Sequence, residues 1–281
     1  MFKEKNKNQI DNLIKLALNE DVGLGDITTR SIISEKDIFQ AEILAKNDLV
    51  LCGLDIFKAV FFYLDTNVSY CDDIFKDGDF IKSGTIFLKM KGRGVALLEG
   101  ERVALNIIQR LCGIASLTKQ YVDRAKPIKI LDTRKTTPGF RIFEKYAVLC
   151  GGGVNHRFGL FDAILIKDNH IKASGGITQA IEAVRKSNKG HMQIEVEAST
   201  LEEVKAAIAA KSDIIMLDNM TIEDIIKSIE IIDGKAKIEV SGSISLAKID
   251  TLSKLDINFI SIGSLTHSPK ASDISMNFIL P

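Results

Sequence analysis

The chain has 281 residues, 46% hydrophobic and 26% charged, enough apolar material for a sizeable core and too little charge bias for a disordered polymer. Lysine plus arginine equals aspartate plus glutamate, 37 of each, so no global field draws the chain to nucleic acid or an anionic membrane, and an anion site has to be a local cluster. No apolar stretch follows the lysine-rich Met1–Asn8, runs such as Ile257–Ile262 are too short to span a bilayer, and Cys52, Cys71, Cys112 and Cys150 form no C-x-x-C pair, which predicts a cytoplasmic protein with reduced thiols and neither a zinc site nor a disulfide scaffold.

In chain order, the pattern predicts an amphipathic helix at Gln9–Asn19, a loop at Gly25-Asp26-Ile27-Thr28-Thr29 and, from alternation, a strand at Phe39–Ala45. A helix with a bulky apolar face is expected at Leu54–Leu64, and short strands punctuated by Asp77-Gly78-Asp79 and Lys82-Ser83-Gly84 run through Leu88. A long helix follows at Leu97–Ala125, with Val103, Ile107, Leu111 and Ile114 on one face and Gly100 and Gly113 expected to bend or break it. The texture then changes. Six short apolar runs, Ile128–Leu131, Ala163–Ile166, Met192–Val196, Ile214–Leu217, Ala236–Val240 and Ile257–Ile262, each lead into a polar or glycine residue. Helical patterns at Thr178–Ser187, Leu201–Ala210, Ile222–Ile232 and Leu246–Leu255 separate most of them, and strand–helix–strand alternation implies parallel strands. The ends at Glu197, Asp218, Ser241 and Gly263 are spaced by 21, 23 and 22 residues, a regular βα repeat. Every run ends on a residue capable of chemistry, which favours a ring of strands sharing one mouth over an open sheet. The reading is an α+β domain over 1–112 and a parallel α/β barrel over 113–267, incomplete at about six strands, with the tail 268–281 packing back on the first domain.

The segment Asp132–Lys172 holds seven Lys and Arg residues and two of the four histidines, opposed only in part by Asp132, Glu144, Asp162 and Asp168. A charge run usually marks a solvated face. Here Arg134, Lys135 and Lys167 directly follow strands, where a barrel aims side chains into its mouth, and Asn155-His156-Arg157 follows the turn Gly151-Gly152-Gly153. Converging guanidinium groups suit planar carboxylates and phosphates, which they bind in a bidentate way. Glu197 and Asp218 read singly as salt-bridge partners for these lysines; together, beside a basic pocket, they are also what a magnesium-bound pyrophosphate needs. Ser241-Gly242-Ser243 and Gly263-Ser264 follow the last two strands, where a barrel often holds a phosphate on backbone N–H groups. His156, His170 and His267 read one by one as core or supporting histidines, and no G-x-G-x-x-G follows a strand.

These motifs resemble those of the quinolinate phosphoribosyltransferase family. The resemblance is carried by Asp132-Thr133-Arg134-Lys135-Thr136-Thr137-Pro138-Gly139, Lys145-Tyr146-Ala147-Val148, Gly151-Gly152-Gly153-Val154-Asn155-His156-Arg157 and Leu165-Ile166-Lys167-Asp168-Asn169-His170. Glu195-Val196-Glu197, Met216-Leu217-Asp218-Asn219 and Gly263-Ser264-Leu265-Thr266-His267-Ser268 follow in order, and Gly25–Thr29 with Glu101–Asn106 extend it to the first half. It implies an α+β domain beside an incomplete barrel, and a cytoplasmic homodimer, or a hexamer of such dimers. It implies a magnesium-dependent pentosyltransferase of NAD biosynthesis that joins quinolinate to phosphoribosyl pyrophosphate and releases carbon dioxide and pyrophosphate. Arg102, Arg134, His156 and Arg157 would then surround the substrate carboxylates, with Arg102 reaching in from the neighbouring protomer. Lys135 and Lys167 would lie between substrate and pyrophosphate, Glu197 and Asp218 would face ribose and magnesium, and Ser241, Gly242 and Gly263 would lie near a phosphate. Lys135, Lys167, Glu197 and Asp218 are the catalytic group on this reading. The family usually carries glycine where this chain has Ser243.

Three other readings compete. A paralogous transferase acting on another base or acid would carry the same motifs. A Schiff-base aldolase built on Lys167 wants one desolvated lysine, which a polybasic pocket with Arg134 and Arg157 suits poorly. A binding module without turnover leaves Glu197 and Asp218 unexplained.

Overall fold

The computed structural model describes residues 2–71, 74–188 and 192–279; residue 1 and residues 280–281, the extremes of the expected first domain and tail, lie outside them. The helices and strands run α1 (Phe2–Lys5), α2 (Lys7–Asp21), α3 (Ile27–Ile32), β1 (Ile38–Ala45), β2 (Leu49–Val50), α4 (Leu54–Leu64), β3 (Ser69–Cys71), β4 (Phe80–Ile81), β5 (Ile86–Arg93) and α5 (Gly94–Ala125). They continue as β6 (Lys129–Leu131), α6 (Arg141–Cys150), β7 (Ile164–Ile166), α7 (Asp168–Ser174), α8 (Ile177–Ser187), β8 (Ile194–Ala198), α9 (Leu201–Ala209) and β9 (Ile214–Asp218). The chain finishes with α10 (Ile222–Ile232), β10 (Lys237–Ser241), α11 (Leu246–Leu252), β11 (Phe259–Ser261), α12 (Ser264–His267) and β12 (Ile274–Ile279). They form two compact units: one of Met1–Leu117, Ile142–Gly151 and Pro269–Pro281, the other of Thr118–Arg141 and Gly152–Ser268. Among the described residues no helix is long and apolar enough to cross a membrane.

The first unit is built on an antiparallel sheet in the order β12-β1-β5-β3, with β2 and β4 as a separate pair. Its β12 comes from the C-terminal tail, which pairs with β1 from Gln40↔Ile279 to Ala45↔Ile274. The segment Gly25–Thr29, read from sequence as a loop, instead starts α3: the Asp26 carboxylate accepts from the Thr28 N–H at 2.9 Å and caps the helix. Nor do Gly100 and Gly113 break α5, which runs as one helix of 32 residues. Both are points of close approach. A Cβ on Gly100 would stand 2.9 Å from the Phe61 ring, and one on Gly113 would stand 2.1 Å from the Lys270 carbonyl oxygen, so the glycines let neighbouring chain lie directly on the helix.

Three of the four cysteines also converge here in spite of their separation in sequence. The Cys52 N–H donates to Cys112 Sγ at 3.3 Å, and Cys52, Asp77 and Cys150 bring their donor atoms within 4.8 Å of one another. Asp77 is already committed: it accepts from the N–H groups of Gly53 and Leu54 at the start of α4 and from the Tyr146 hydroxyl. All four thiols are free.

The second unit is a six-stranded parallel sheet in the order β6-β11-β10-β9-β8-β7, curved as in a barrel but not closed, with β6 and β7 as its edges. An isolated parallel bridge, Leu131↔Val154, lies beyond β6. Capping chemistry sets the helix starts: Thr200, Thr221 and Ser245 accept the backbone N–H of Glu203, Asp224 and Lys248 and open α9, α10 and α11. Side chains alternate along each strand. Val196, Ile215, Val240 and Ile260 are fully buried on one face, so the intervening residues, Glu195 and Glu197, Met216 and Asp218, Glu239 and Ser241, Ser261 and Gly263, line the other. Glu197, Asp218 and Ser241 belong to the strands themselves rather than following them, Asp218 and Ser241 as last residues and Glu197 just before the last.

Gly113→Ala is expected to destabilise the first unit by about 1–3 kcal/mol, the usual cost of forcing a methyl into a filled space, in spite of alanine's better helix propensity. Urea unfolding measures it, and unchanged or greater stability would show that the Lys270 backbone does not lie against α5.

Candidate active site

The carboxyl ends of the parallel strands surround a cavity of about 1050 Å³. Of the residues singled out from sequence, Arg134, Lys135, His156, Arg157, Lys167, Glu197, Asp218, Ser241, Gly242 and Gly263 all line it. Arg102 does not; it is exposed on the part of α5 that belongs to the first unit.

Charge in this cavity is divided largely by strand, Asp168 after β7 being an anion on the cationic side. The cations Arg134, Lys135, Arg157 and Lys167 come from the ends of β6 and β7 and the loop leading to β7, whereas Glu197 is the last residue but one of β8 and Asp218 ends β9. The two sides meet in the ion pair between the Lys167 ammonium and the Glu197 carboxylate on adjacent strands. Arg157 is buried, and burial followed by the Arg134 charge pushes its pKa below the ordinary arginine value, while Glu195, Asp162 and Glu197 pull the other way. Arg134 Nε is buried without a hydrogen-bond partner. A donor left bare in this way is what an arriving anion would satisfy.

Asp132 anchors the loop that supplies His156 and Arg157. It is fully buried, and its Oδ1 accepts the His156 backbone N–H at 2.9 Å. The imidazole is spoken for at both nitrogens: the Arg157 N–H donates to Nδ1 at 2.8 Å, so Nε2 carries hydrogen and faces Glu195 Oε2 at 3.1 Å. On the opposite rim the backbone is held in unusual conformations. Gly242 has φ +94°, and a Cβ there would stand 2.2 Å from Asn219 Oδ1; Asn219 and Ser243 themselves adopt φ 55° and 48°. Ser243 is thus a side chain in a left-handed position that favours glycine. Gly263 lets Lys135 lie across it, with a would-be Cβ 3.0 Å from Lys135 Cδ. The Thr266 hydroxyl donates to the Lys135 carbonyl at 2.8 Å and ties the β6 loop to α12.

Sequence reasoning passed over the cavity floor. Glu239 and Ser261 line it, and Glu195 lies against His156 behind them. Both glutamates sit in an Ile-Glu-Val run, Ile194-Glu195-Val196 and Ile238-Glu239-Val240. A carboxylate inside an otherwise apolar parallel strand is the signal that could have revealed them. Burial, then the neighbouring Glu195, pushes the Glu239 pKa up to about 8, and His156 opposes this.

The C-terminal domain model of quinolinate phosphoribosyl transferase matches residues 114–277 and the N-terminal domain model matches residues 26–112. The chain is 46% identical over 275 residues to a probable carboxylating nicotinate-nucleotide pyrophosphorylase of Bacillus subtilis, covering 97% of this chain and 94% of that protein. It is 42% identical over 283 residues to the chloroplastic carboxylating enzyme of that name from Arabidopsis thaliana, covering 94% and 81%. The crystal structure of NadC from Streptococcus pyogenes superposes with a TM-score of 0.92 at 45% identity, covering 96% of this chain and 97% of that one.

Proposed function

The chain belongs to the quinolinate phosphoribosyl transferase family, and on that premise we propose that it forms nicotinate mononucleotide, carbon dioxide and pyrophosphate from quinolinate and phosphoribosyl pyrophosphate. The observation that carries the reading is the charge division of the cavity. Its volume suits two ligands side by side. Quinolinate is a planar dicarboxylate and belongs on the arginine side. The ribose gains positive charge as its C1–O bond loosens and belongs beside Glu197 and Asp218.

In this mechanism Arg134 and Arg157 hold the ring carboxylates and aim the pyridine nitrogen at C1 of the ribose. Glu197 and Asp218 offset the oxocarbenium-like charge, and Lys135 and Lys167 neutralise the leaving pyrophosphate. Glu197 pairs with Lys167 until the ribose centre arrives, which keeps either charge from standing alone. The backbone at Gly242 and Gly263, with Ser241, accommodates a phosphate, since Cβ-free positions let the ligand approach the chain. Attack by the ring nitrogen makes a pyridinium, an electron sink next to the 2-carboxylate. That carboxylate leaves as carbon dioxide and the ring carbon is protonated. The pairing of Lys167 with Glu197 serves charge balance rather than an amine nucleophile, which disfavours the Schiff-base alternative.

Magnesium fits the residues present: Glu197 and Asp218 are hard oxygen donors at the cavity wall, and this ion is commonly held by one or two carboxylates plus substrate phosphates. When bound it supplies charge neutralisation to the departing pyrophosphate. The free thiols support a reducing, cytoplasmic setting.

Purified protein is expected to release carbon dioxide from quinolinate and form the mononucleotide only with both phosphoribosyl pyrophosphate and magnesium. Equal or better turnover of nicotinate, which lacks the 2-carboxylate, would overturn the substrate assignment in favour of a paralogous activity.

The proposal includes a homodimer, alone or as a hexamer of dimers, in which Arg102 enters the neighbouring protomer's cavity. Its exposure on α5 leaves it available to a neighbouring protomer. Arg102→Ala and Lys135→Ala homodimers should each be nearly inactive. In a mixed dimer one site carries both lesions and the other neither. Re-equilibrated mixtures should therefore recover up to about a quarter of wild-type activity, since half the dimers are mixed and each has one intact site. A mixture as inactive as its parents, with subunit exchange demonstrated, would place Arg102 in its own chain's chemistry or outside the chemistry altogether.

A further inference from the structure

On the mechanism just given, one proton is consumed in each turnover, because carbon dioxide leaves without one and the ring carbon ends with one. We propose that the carboxyl group of Glu239, on the cavity floor, delivers that proton, and that His156 and Glu195 hold the floor in the arrangement that keeps it there. The inference rests on the decarboxylating reading and adds a residue to it.

The geometry singles out Glu239. His156, Glu195 and Glu239 bring their donor atoms within 4.8 Å of one another. His156 Nε2 is 3.1 Å from Glu195 Oε2 but 3.7 Å from Glu239 Oε2, so the imidazole hydrogen goes to Glu195. Glu239 Oε1 is buried with no hydrogen-bond partner, and the side chain is 2% exposed. A buried carboxylate whose Oε1 has no partner and whose Oε2 has the His156 imidazole no nearer than 3.7 Å is unfavourable in such a place, whereas a neutral carboxylic acid tolerates it. Only Glu239 of the two glutamates lines the cavity. The groups facing it are Glu195 from β8, Met216 from β9, Ser261 from β11 and His156 from the loop after α6, and Arg157 stands nearer Glu195. Burial and the Glu195 charge raise the Glu239 pKa to about 8, which leaves the acid protonated at neutral pH.

The step balances. The bond from the ring to its 2-carboxylate breaks and the electron pair stays on the ring carbon. The Glu239 O–H bond then breaks, its proton joins that carbon, and Glu239 is left as a carboxylate. Water restores the proton after the products leave.

The test is mononucleotide formation in a single turnover by the full-length protein, followed from about pH 6 to about pH 10, alongside direct titration of quinolinate. The wild-type rate is expected to fall about tenfold per pH unit above about 8. Glu239→Gln keeps the shape and neutrality of the acid but has no acidic proton. It should be slower by about a hundredfold or more at neutral pH and lose the basic limb, with quinolinate affinity within about threefold of wild type. Glu239→Asp should restore the limb and part of the rate. A Glu239→Gln enzyme within about threefold of the wild-type rate would overturn the donor assignment while leaving the decarboxylating reading intact. If that variant does not fold, the wild-type profile decides: a rate that stays flat to about pH 10 sinks the proposal. Wild type that forms no mononucleotide sinks both.

Discussion

Arg134 and Arg157 line the same cavity and repel one another. Burial and the neighbouring guanidinium both weaken the hold of Arg157 on its proton, and Arg134 Nε is left without a partner. Like charges at close range behind low-dielectric walls are unfavourable unless something of opposite sign lies between them. The protein offers only a partial remedy, through Glu195, Asp162 and Glu197 at the margins. On the proposed function a planar dicarboxylate would complete it. On that reading a bound dianion relieves the repulsion, which is how a site can prefer a dianion over the monoanion of similar shape.

The other side of the cavity obeys a complementary constraint. On the proposed mechanism Glu197 and Asp218 stay available to a transient positive centre, and each has a partner in the meantime. Glu197 is held by Lys167 from the adjacent strand, and Asp218 accepts from the Asn219 side chain at 2.9 Å. Below them the floor carries a different chemistry. His156 is fixed by its own chain neighbours, and a buried pair of glutamates occupies the position where most parallel sheets place aliphatic residues.

Much of this was legible in the sequence because the period of a strand is two. Once Ile214–Leu217 and Ala236–Val240 are read as parallel strands, Asp218 and Ser241 have to face one mouth, and regular βα spacing brings Glu197 and Gly263 to the same rim. What stayed hidden depends on contacts distant in sequence. Gly100 and Gly113 look like helix breakers because the Phe61 ring and the Lys270 backbone that require them lie far along the chain. Cys52, Cys112 and Cys150 show no motif spacing, and only the fold brings them together. Glu239 was passed over because it sits inside a strand rather than at its end. Ser243 stands out in sequence only by comparison with the glycine usual in the family, and the structure supplies the physical meaning: its backbone adopts φ 48°.

On the proposed mechanism the cavity is divided, with the base on the arginine side and the ribose on the carboxylate side. Separate titrations of quinolinate and of phosphoribosyl pyrophosphate with magnesium, on wild type and on Arg134→Ala and Arg157→Ala, test it most directly. Loss of a charge-assisted bond to a buried anion costs about 1.5–3 kcal/mol, so either arginine variant should weaken quinolinate by about tenfold to a hundredfold or more and leave the phosphoribosyl donor nearly unchanged. Equal weakening of both ligands would contradict the division.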